Sequence, residues 1–188
     1  MCPQKQLLFG TSNIHKLTEA RKIIEPHGYN IQHYPVDLIE LQNHKLESIA
    51  IYSLEQLPPT EHPIFVEDTG LFIEHLTGFP GPFAAYFFNT IGNDGIIKLL
   101  SGEENRNAYF KSVIAYRDEQ NQIKTFFGRI DGKIATEIAG KEWGYDPIFI
   151  PLSNLNPDML TFAKLDSEIK NKISHRALAL HKLRNYLI

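Results

Sequence analysis

The segment KQLLFGTSNIHKLTEARKII, residues 5–24, decides the fold. Its first six residues, Lys5 to Gly10, form a short apolar run that predicts a buried strand. Three polar residues follow, Thr11-Ser12-Asn13, and then apolar residues recur at helical spacing at Leu17, Ala20, Ile23 and Ile24. Gly28 predicts the end of this helix. A strand that leads through a short polar turn into a helix is typical of an α/β protein.

The rest of the chain continues with further strands and helices. The predicted strands are residues 31–36 and 63–66, a hairpin of 108–117 and 123–130, and a short strand that ends the loop segment 143–150. The predicted helices are residues 45–57, 83–89, 93–100 and the segment from Asp166 onward. Gly78-Phe79-Pro80-Gly81-Pro82 predicts a rigid loop. We therefore expect one α/β domain over residues 1–188, with a mixed sheet.

The composition is that of a globular protein and argues against several classes. Of the 188 residues, 43% are hydrophobic and 22% are charged, which favours a packed core over disorder. The net charge is −3 and the pI is about 6.2, so there is no basic surplus of the kind that binds nucleic acid. The single cysteine, Cys2, excludes an intrachain disulfide. The early apolar run Leu7-Leu8-Phe9 is too short for a signal or a membrane span. We expect a cytoplasmic protein without membrane attachment.

The first motif that can carry chemistry lies between the first strand and the first helix. In Thr11-Ser12-Asn13-Ile14-His15-Lys16, small hydroxyl residues precede a helix start. The helix start presents unpaired N–H groups and a partial positive charge, and Lys16 lies in the first turn, so the segment can form a phosphate cradle. The alternative is that Ser12 or Asn13 is only the N-cap and Lys16 is solvated.

The second motif is Glu67-Asp68-Thr69-Gly70, which we expect at the end of a buried strand, just before a glycine turn. Two carboxylates in that position suit a hard divalent cation that keeps water ligands. They are also ordinary turn-forming residues, so both interpretations stay open. Glu40, after the second predicted strand, is a further candidate carboxylate.

Two further motifs lie in the second half of the chain. Trp143-Gly144-Tyr145-Asp146-Pro147 offers aromatic faces that can stack on a base, or that simply belong to the core. In the basic segment 170–176, Lys170 and His175 would lie about 140° apart on one continuous helix. If the basic residues serve one ligand, the backbone must turn near Ile173-Ser174, with Ser174 capping a new helix. Otherwise the segment is a solvated basic face.

Together these motifs resemble those of the inosine triphosphate pyrophosphatase family. The motifs that carry the resemblance are Thr-Ser-Asn-x-x-Lys, Glu-Asp-Thr-Gly-Leu, Gly-Phe-Pro-Gly-Pro, Trp-Gly-Tyr-Asp-Pro-Ile-Phe and Lys-Asn-x-Ile-Ser-His-Arg-x-x-Ala-Leu, in that order from residue 11 to residue 180. The resemblance implies hydrolysis of ITP, dITP and XTP to the nucleoside monophosphate and pyrophosphate, with Mg²⁺ as cofactor. It also implies an elongated mixed β-sheet with flanking helices in two lobes around a central nucleotide cleft, and a homodimer.

The resemblance also implies a role for each matching residue. Asp68, as proton acceptor, and Lys16 are the catalytic residues, and Glu40 and Asp68 are the metal ligands. The substrate-binding residues are Thr11, Ser12, Asn13, Ile14, His15, Lys16, Thr69, Trp143, Gly144, Tyr145, Asp146, Lys170, His175 and Arg176. Arg176 is expected to donate toward position 6 of the base and so to favour a 6-oxopurine over adenine.

Two positions depart from the family, and two other interpretations remain. Some members have a lysine where Tyr52 stands here, and some have one where Ala85 stands; Lys111 is a possible replacement. A related family, the septum-formation-inhibitor-like nucleotide pyrophosphatases, prefers other nucleotides, and the Ser-His-Arg and Trp-Gly-Tyr-Asp motifs disfavour it. A non-catalytic nucleotide sensor is disfavoured because Lys16, Glu40 and Asp68 are all present.

Overall fold

The computed structural model of the protein describes residues 4–39 and 41–188. The strands are β1 (Lys5–Gly10), β2 (Tyr29–Tyr34), β3 (Ile64–Ile73), β4 (Pro80–Gly81), β5 (Asn107–Arg117), β6 (Ile123–Ile134) and β7 (Phe149–Pro151). The α-helices are α1 (Ile14–Ile24), α2 (Leu46–Glu55), α3 (Ala84–Thr90), α4 (Gly92–Leu99), α5 (Ser167–Ile173) and α6 (His175–Leu187). Within the described ranges, none of these helices is long and apolar enough to cross a membrane.

The seven strands form one mixed sheet, as the sequence predicts. The strand order is β2-β1-β3-β5-β6-β7, and β4 pairs with β3 beside this row. Strand β1 lies between β2 and β3 and is parallel to both, and its Phe9 lies opposite His33 on one side and Phe65 on the other. The pairs β3–β4 and β6–β7 are antiparallel. The predicted α/β class is therefore confirmed.

The chain divides into two compact units, and each has its own apolar core. The first unit comprises Met1–Asp68, Ser112–Gly128 and Arg176–Ile188. Its core joins β1, α1 and α6 through side chains that are almost fully buried, among them Leu7, Phe9, Leu17, Ile24, Ile114, Leu180 and Leu183. The second unit comprises Thr69–Lys111 and Arg129–His175. Its core includes Leu71, Ile73, Ile96, Leu100, Phe149 and Phe162.

Strand β3 is longer than predicted, and this corrects the interpretation of the second motif. Glu67-Asp68-Thr69-Gly70 does not end a strand before a turn, because β3 continues to Ile73. The glycine at position 70 is explained by strand pairing and not by a turn. A Cβ atom there would lie 2.8 Å from the Gly81 carbonyl oxygen, so glycine permits the close pairing of β4 with β3.

The C-terminal helical segment is broken at the position predicted for basic residues that serve one ligand. Helix α5 ends at Ile173, and Ser174 has extended backbone angles, φ −65° and ψ 151°. Helix α6 then begins at His175. The predicted turn near Ile173-Ser174 is confirmed, so the basic segment 170–176 spans two helices rather than one face of a single helix.

Candidate functional site

The predicted site residues fall into two groups, one in each unit. The first unit contains Thr11, Ser12, Asn13, Ile14, His15, Lys16, Asp68 and Arg176. The second unit contains Thr69, Trp143, Gly144, Tyr145, Asp146, Lys170 and His175. Glu40, the other predicted metal ligand, lies outside the described residues. Each group has its own network of contacts.

Asn13 caps helix α1. Its Oδ1 accepts hydrogen bonds from the backbone N–H of His15 at 2.9 Å and of Lys16 at 3.4 Å. Thr11 Oγ1 in turn accepts from the Asn13 N–H at 3.1 Å. Ser12, Ile14 and His15 are exposed at this helix start. The capping interpretation of this motif is therefore correct for Asn13, while its phosphate-binding role stays a prediction.

Lys16 is not solvated, because its ammonium is held by Glu67. The Nζ atom lies 2.8 Å from Glu67 Oε2 and donates to the Glu67 backbone oxygen at 3.1 Å. Only 18% of the Lys16 side chain is exposed, against 1% for Glu67. The first turn of α1 thus carries a positive charge whose position is set by β3.

Glu67 is the centre of a buried network of charges. Its Oε1 accepts from the Ser112 hydroxyl at 2.5 Å and lies 3.3 Å from Arg176 Nε. Arg176, with 5% of its side chain exposed, also donates through Nη1 to Glu19 Oε2 at 2.6 Å. Both carboxylate oxygens of Glu67 therefore face positive or donor groups within the first unit.

These neighbours control the ionisation of Glu67. Burial by itself would raise its pKa, but the charges of Arg176 and Lys16, together with hydrogen bonds from Lys16 and Ser112, hold the pKa well below the ordinary value of 4.5. Glu67 is therefore a carboxylate at neutral pH, and it balances the two cations.

We expect this ionised carboxylate to contribute stability that depends on pH. Because the pKa of Glu67 is lower in the folded protein than in the unfolded chain, its contribution is complete above the unfolded pKa and decreases as the pH falls below about 4.5. The free energy of unfolding of the wild type and of Glu67→Gln, measured in urea between pH 7 and pH 3, tests this. The difference between the two proteins should shrink steadily below pH 4.5; a difference independent of pH would contradict the assignment.

Asp68 follows Glu67 on β3, and successive side chains of a strand point to opposite faces. It is half-buried, and its Oδ2 atom is fully buried. The Glu67 oxygens are engaged by cations and Ser112, and the metal-binding role of Asp68 stays a prediction. Among residues 4–39 and 41–188, no three His, Cys, Asp or Glu side chains form a metal cluster by themselves. One or two protein carboxylates, completed by water and phosphate oxygens, are nevertheless a common donor set for Mg²⁺.

In the second unit, Tyr145 anchors the loop 143–146 to helix α3. The Tyr145 hydroxyl donates to the Ala84 carbonyl at 3.0 Å, and the Tyr145 ring packs edge-on against Phe88 with centroids 5.3 Å apart. Tyr145 is buried, and burial raises its pKa, so the phenol stays protonated and donates. Trp143 is half-buried. Tyr145 thus contributes packing, and of the two aromatic residues Trp143 is the one with surface for a base.

Lys170 reaches this loop from helix α5. Its Nζ lies 2.5 Å from Asp146 Oδ2, and the two side chains are 15% and 11% exposed. His175 stacks on Phe110, with ring centroids 4.4 Å apart and an angle of 15° between the planes. Of the residues predicted in this unit, the structure therefore brings Lys170 and Asp146 together, while His175 belongs to an aromatic stack. Thr69 is half-buried on β3.

The positions that depart from the resembled family lie on α2 and α3, and the suggested replacement lies on β5. Tyr52 is on α2 and is 37% exposed, and Ala85 is exposed on α3. Lys111 lies on β5, as predicted, and is half-buried. Its proposed role as a replacement lysine stays a prediction.

A protein-family model described as the Ham1 family matches residues 7–186 of the chain. The chain belongs to the Ham1 family. This confirms the resemblance on which the site residues were assigned.

The Ham1 assignment agrees with relatives of known name and with solved structures. The chain is 48% identical to a dITP/XTP pyrophosphatase of Methanopyrus kandleri, covering 96% of this chain and 95% of that one. It is also 48% identical to a dITP/XTP pyrophosphatase of Thermococcus kodakarensis, covering 97% of each. The structure of a HAM1 protein from Coxiella burnetii superimposes with a TM-score of 0.81 at 28% identity, covering 98% of both chains.

Sequence reasoning missed several residues that form ion pairs or hydrogen bonds with residues of the predicted site and its motifs. Glu19 and Ser112 are separated from their partners Arg176 and Glu67 by 157 and 45 positions. No local pattern marks such pairs. One signal was available for Glu67. Neighbouring residues of a strand point to opposite faces, so the side chains of Glu67 and Asp68 are expected to face different surroundings.

Proposed function

We propose that this Ham1-family protein hydrolyses non-standard purine nucleoside triphosphates, namely dITP, XTP and ITP, to the monophosphate and pyrophosphate. Relatives named dITP/XTP pyrophosphatase match it at 48% identity over almost their whole length. The structural observation that carries the proposal is the Lys16 ammonium, fixed by Glu67 at the start of α1, with the Asp68 carboxylate next in the strand. A fixed cation and a carboxylate base are what hydrolysis of a phosphoanhydride requires.

Asp68 is the proposed base. It orients a water molecule and accepts its proton while the water oxygen forms a bond to the α-phosphorus. The bond from that phosphorus to the oxygen shared with the β-phosphate breaks, and pyrophosphate leaves. The neighbouring Glu67 is not available as a base, because Lys16, Arg176 and Ser112 keep it ionised and engaged.

Lys16 is the proposed electrostatic group. Its ammonium is already held by Glu67, so little reorganisation is needed when negative charge develops on the leaving pyrophosphate. The N-terminus of α1, with Thr11, Ser12 and Asn13 before it, adds a partial positive charge in the same segment. We propose Lys170 as a further phosphate contact.

We propose Mg²⁺ as the cofactor, held by Asp68 and Glu40 together with phosphate oxygens. When bound, a divalent ion neutralises phosphate charge and polarises the phosphoryl group. The buried Asp68 Oδ2 and the engagement of Glu67 by cations support Asp68 as the ligand on β3.

Selection of the base is proposed to depend on Arg176. Hypoxanthine and xanthine present a 6-oxo acceptor, whereas adenine presents a 6-amino donor that faces the guanidinium donors unfavourably. A polar mismatch of this kind can reduce the rate by about 10⁴-fold. The guanidinium has five N–H donors, and its orientation is set by Glu19 and Glu67. Guanine shares the 6-oxo group, so its 2-amino group must be the feature that is rejected.

A pyrophosphate-release assay over ITP, XTP, GTP, ATP and the pyrimidine triphosphates, with Mg²⁺ and with EDTA, tests this function. We expect turnover of ITP and XTP well above that of ATP, and loss of turnover in EDTA. Equal rates on ITP, XTP, GTP and ATP would contradict base selection. Nucleotide binding without pyrophosphate release would indicate a sensor instead of an enzyme.

The quaternary structure and location are proposed from the same resemblance. We propose that the protein is a homodimer that acts in the cytoplasm and clears non-standard nucleotides from the precursor pool. Light scattering of the purified protein, giving a mass of one or of two chains of 21.5 kDa, tests the dimer.

A further inference from the structure

The loop 143–146 has a backbone anchor that its own sequence does not reveal. Asn93, in the first turn of α4, donates through Nδ2 to the carbonyl oxygen of Gly144 at 3.0 Å. Further anchors of this loop are the Tyr145 hydroxyl, which donates to the Ala84 carbonyl, and the Lys170 ammonium on Asp146. Gly144 is thus held by α4 and Tyr145 by α3, and Trp143 directly precedes these two residues.

Gly144 is a residue for which an external anchor matters. Its φ is +65°, in the left-handed region, and a Cβ there would meet nothing within 4 Å. Backbone conformation rather than lack of space therefore favours glycine. Because glycine has the greatest backbone freedom of any residue, the hydrogen bond from Asn93 limits the conformations that the loop can adopt at this point.

The junction between α3 and α4 places Asn93 for this contact. Gly92 begins α4 with a φ of +62°. A Cβ at Gly95 would lie 2.5 Å from the Ile91 Cβ, so only glycine allows this tight helix turn. Helix α4 also lies beside the 3₁₀ turn Asp146–Ile148 that follows the loop. The segment Gly92-Asn93-Asp94-Gly95 is therefore shaped to present the Asn93 amide to Gly144.

The Asn93 amide is poorly suited to a role in stability alone. The Gly144 carbonyl can only accept, so the NH₂ group of Asn93 must face it. The Oδ1 atom then points elsewhere and is buried, with no hydrogen-bond partner among the described residues. A buried acceptor without a partner destabilises a fold. An apolar residue of similar size would avoid that cost, so the stability of the fold does not explain this amide.

We propose that Asn93 is a positioning residue for the purine base: through Gly144 it holds Trp143 and Asp146 in the geometry that binds the base. This inference rests on the proposed function, together with the substrate-binding role that the family resemblance implies for Trp143, Gly144, Tyr145 and Asp146. Asn93 acts through the loop and does not itself touch the reacting phosphates.

Two variants and a matched control test the proposal. Asn93→Leu removes the donor and the partnerless acceptor at similar size, and Asn93→Asp replaces the donor with a carboxylate that repels the Gly144 carbonyl. The control is Asn107→Ala, which removes an exposed hydrogen bond from the Asn107 amide to the Glu74 carboxylate in the same unit. We expect the KM for ITP to rise about 3- to 10-fold in both Asn93 variants, the effect of one hydrogen bond, with kcat within about twofold because a base contact acts equally on substrate and transition state. The control should match the wild type.

A second measurement does not depend on catalysis. Trp143 is the only tryptophan, so its fluorescence reports on this loop alone. We expect acrylamide to quench it more strongly in both Asn93 variants than in the wild type and Asn107→Ala, while the thermal midpoint of Asn93→Leu stays at or above the wild-type value. Wild-type KM and wild-type quenching in a folded Asn93→Leu protein would overturn the proposal. If the wild type does not hydrolyse ITP, the proposed function fails, and increased quenching would still establish the anchor but not its role in base binding.

Discussion

The variant Asp68→Asn is expected to lower kcat for ITP by about 100-fold or more, the loss typical when a preorganised catalytic group is removed. The amide keeps the size of the side chain but cannot accept a proton from water, and it is a weaker ligand for a hard cation. Asp68 is only half-buried, whereas Glu67 is the residue locked into the charge network, so the fold should be retained. The rate is measured by pyrophosphate release at saturating ITP and Mg²⁺.

The control for this variant is Asp131→Asn, because the Asp131 side chain is 63% exposed and pairs only with the exposed Arg129 among the contacts seen. It should keep the wild-type rate. Circular dichroism of both variants should match the wild type. Near-normal turnover in a folded Asp68→Asn protein would remove Asp68 from the mechanism and leave the base unassigned.

The second large effect is expected from Arg176→Met, which should lower the free energy of unfolding by about 3–5 kcal/mol. The guanidinium lies between Glu19 and Glu67 with 5% of its side chain exposed. Removing it takes one cation from both carboxylates, so that Glu67 keeps Lys16 and the Ser112 hydroxyl while Glu19 loses its ion pair with Arg176. Urea unfolding followed by circular dichroism measures the change.

Two further variants show where this loss arises. Arg184→Met, on the same helix, removes a guanidinium whose hydrogen bonds go to its exposed neighbour Asn185, and it should change stability by about 0.5 kcal/mol or less. Adding Glu19→Gln to Arg176→Met should recover part of the loss, because the second change removes a carboxylate whose ion pair with Arg176 is already gone. Equal stability of Arg176→Met and the wild type would show that this network does not stabilise the first unit.

Local patterns in the sequence predicted much of this fold. The strand, turn and helix of residues 5–24 follow from apolar periodicity, and the structure has β1 and α1 in those places. The break at Ser174 was predicted on the condition that the basic residues serve one ligand, because residues five positions apart cannot share one helix face. Both features depend on neighbours in the chain, and such features can be derived from a single sequence.

Features that depend on distant residues were missed or misread. Asp68-Thr69-Gly70 has the composition of a turn, yet β3 runs through it because β4 packs against Gly70. The partners of Lys16 also could not be derived, since they come from β3, far along the chain. The sequence identified the residue types that the chemistry needs, while the ion pairs that orient them depend on tertiary packing.

The division of the first unit along the chain has a consequence during synthesis. Its core needs Ala177, Leu180 and Leu183 of α6, although most of that unit is made before residue 69. The second unit, whose last residue is His175, is complete before that helix has left the ribosome. The nascent chain must therefore carry an unfinished N-terminal half, with apolar side chains of β1 and α1 uncovered, while the middle folds. A stop codon shortly after residue 175 would leave the turn between β1 and α1 attached to a core that lacks the side chains of α6.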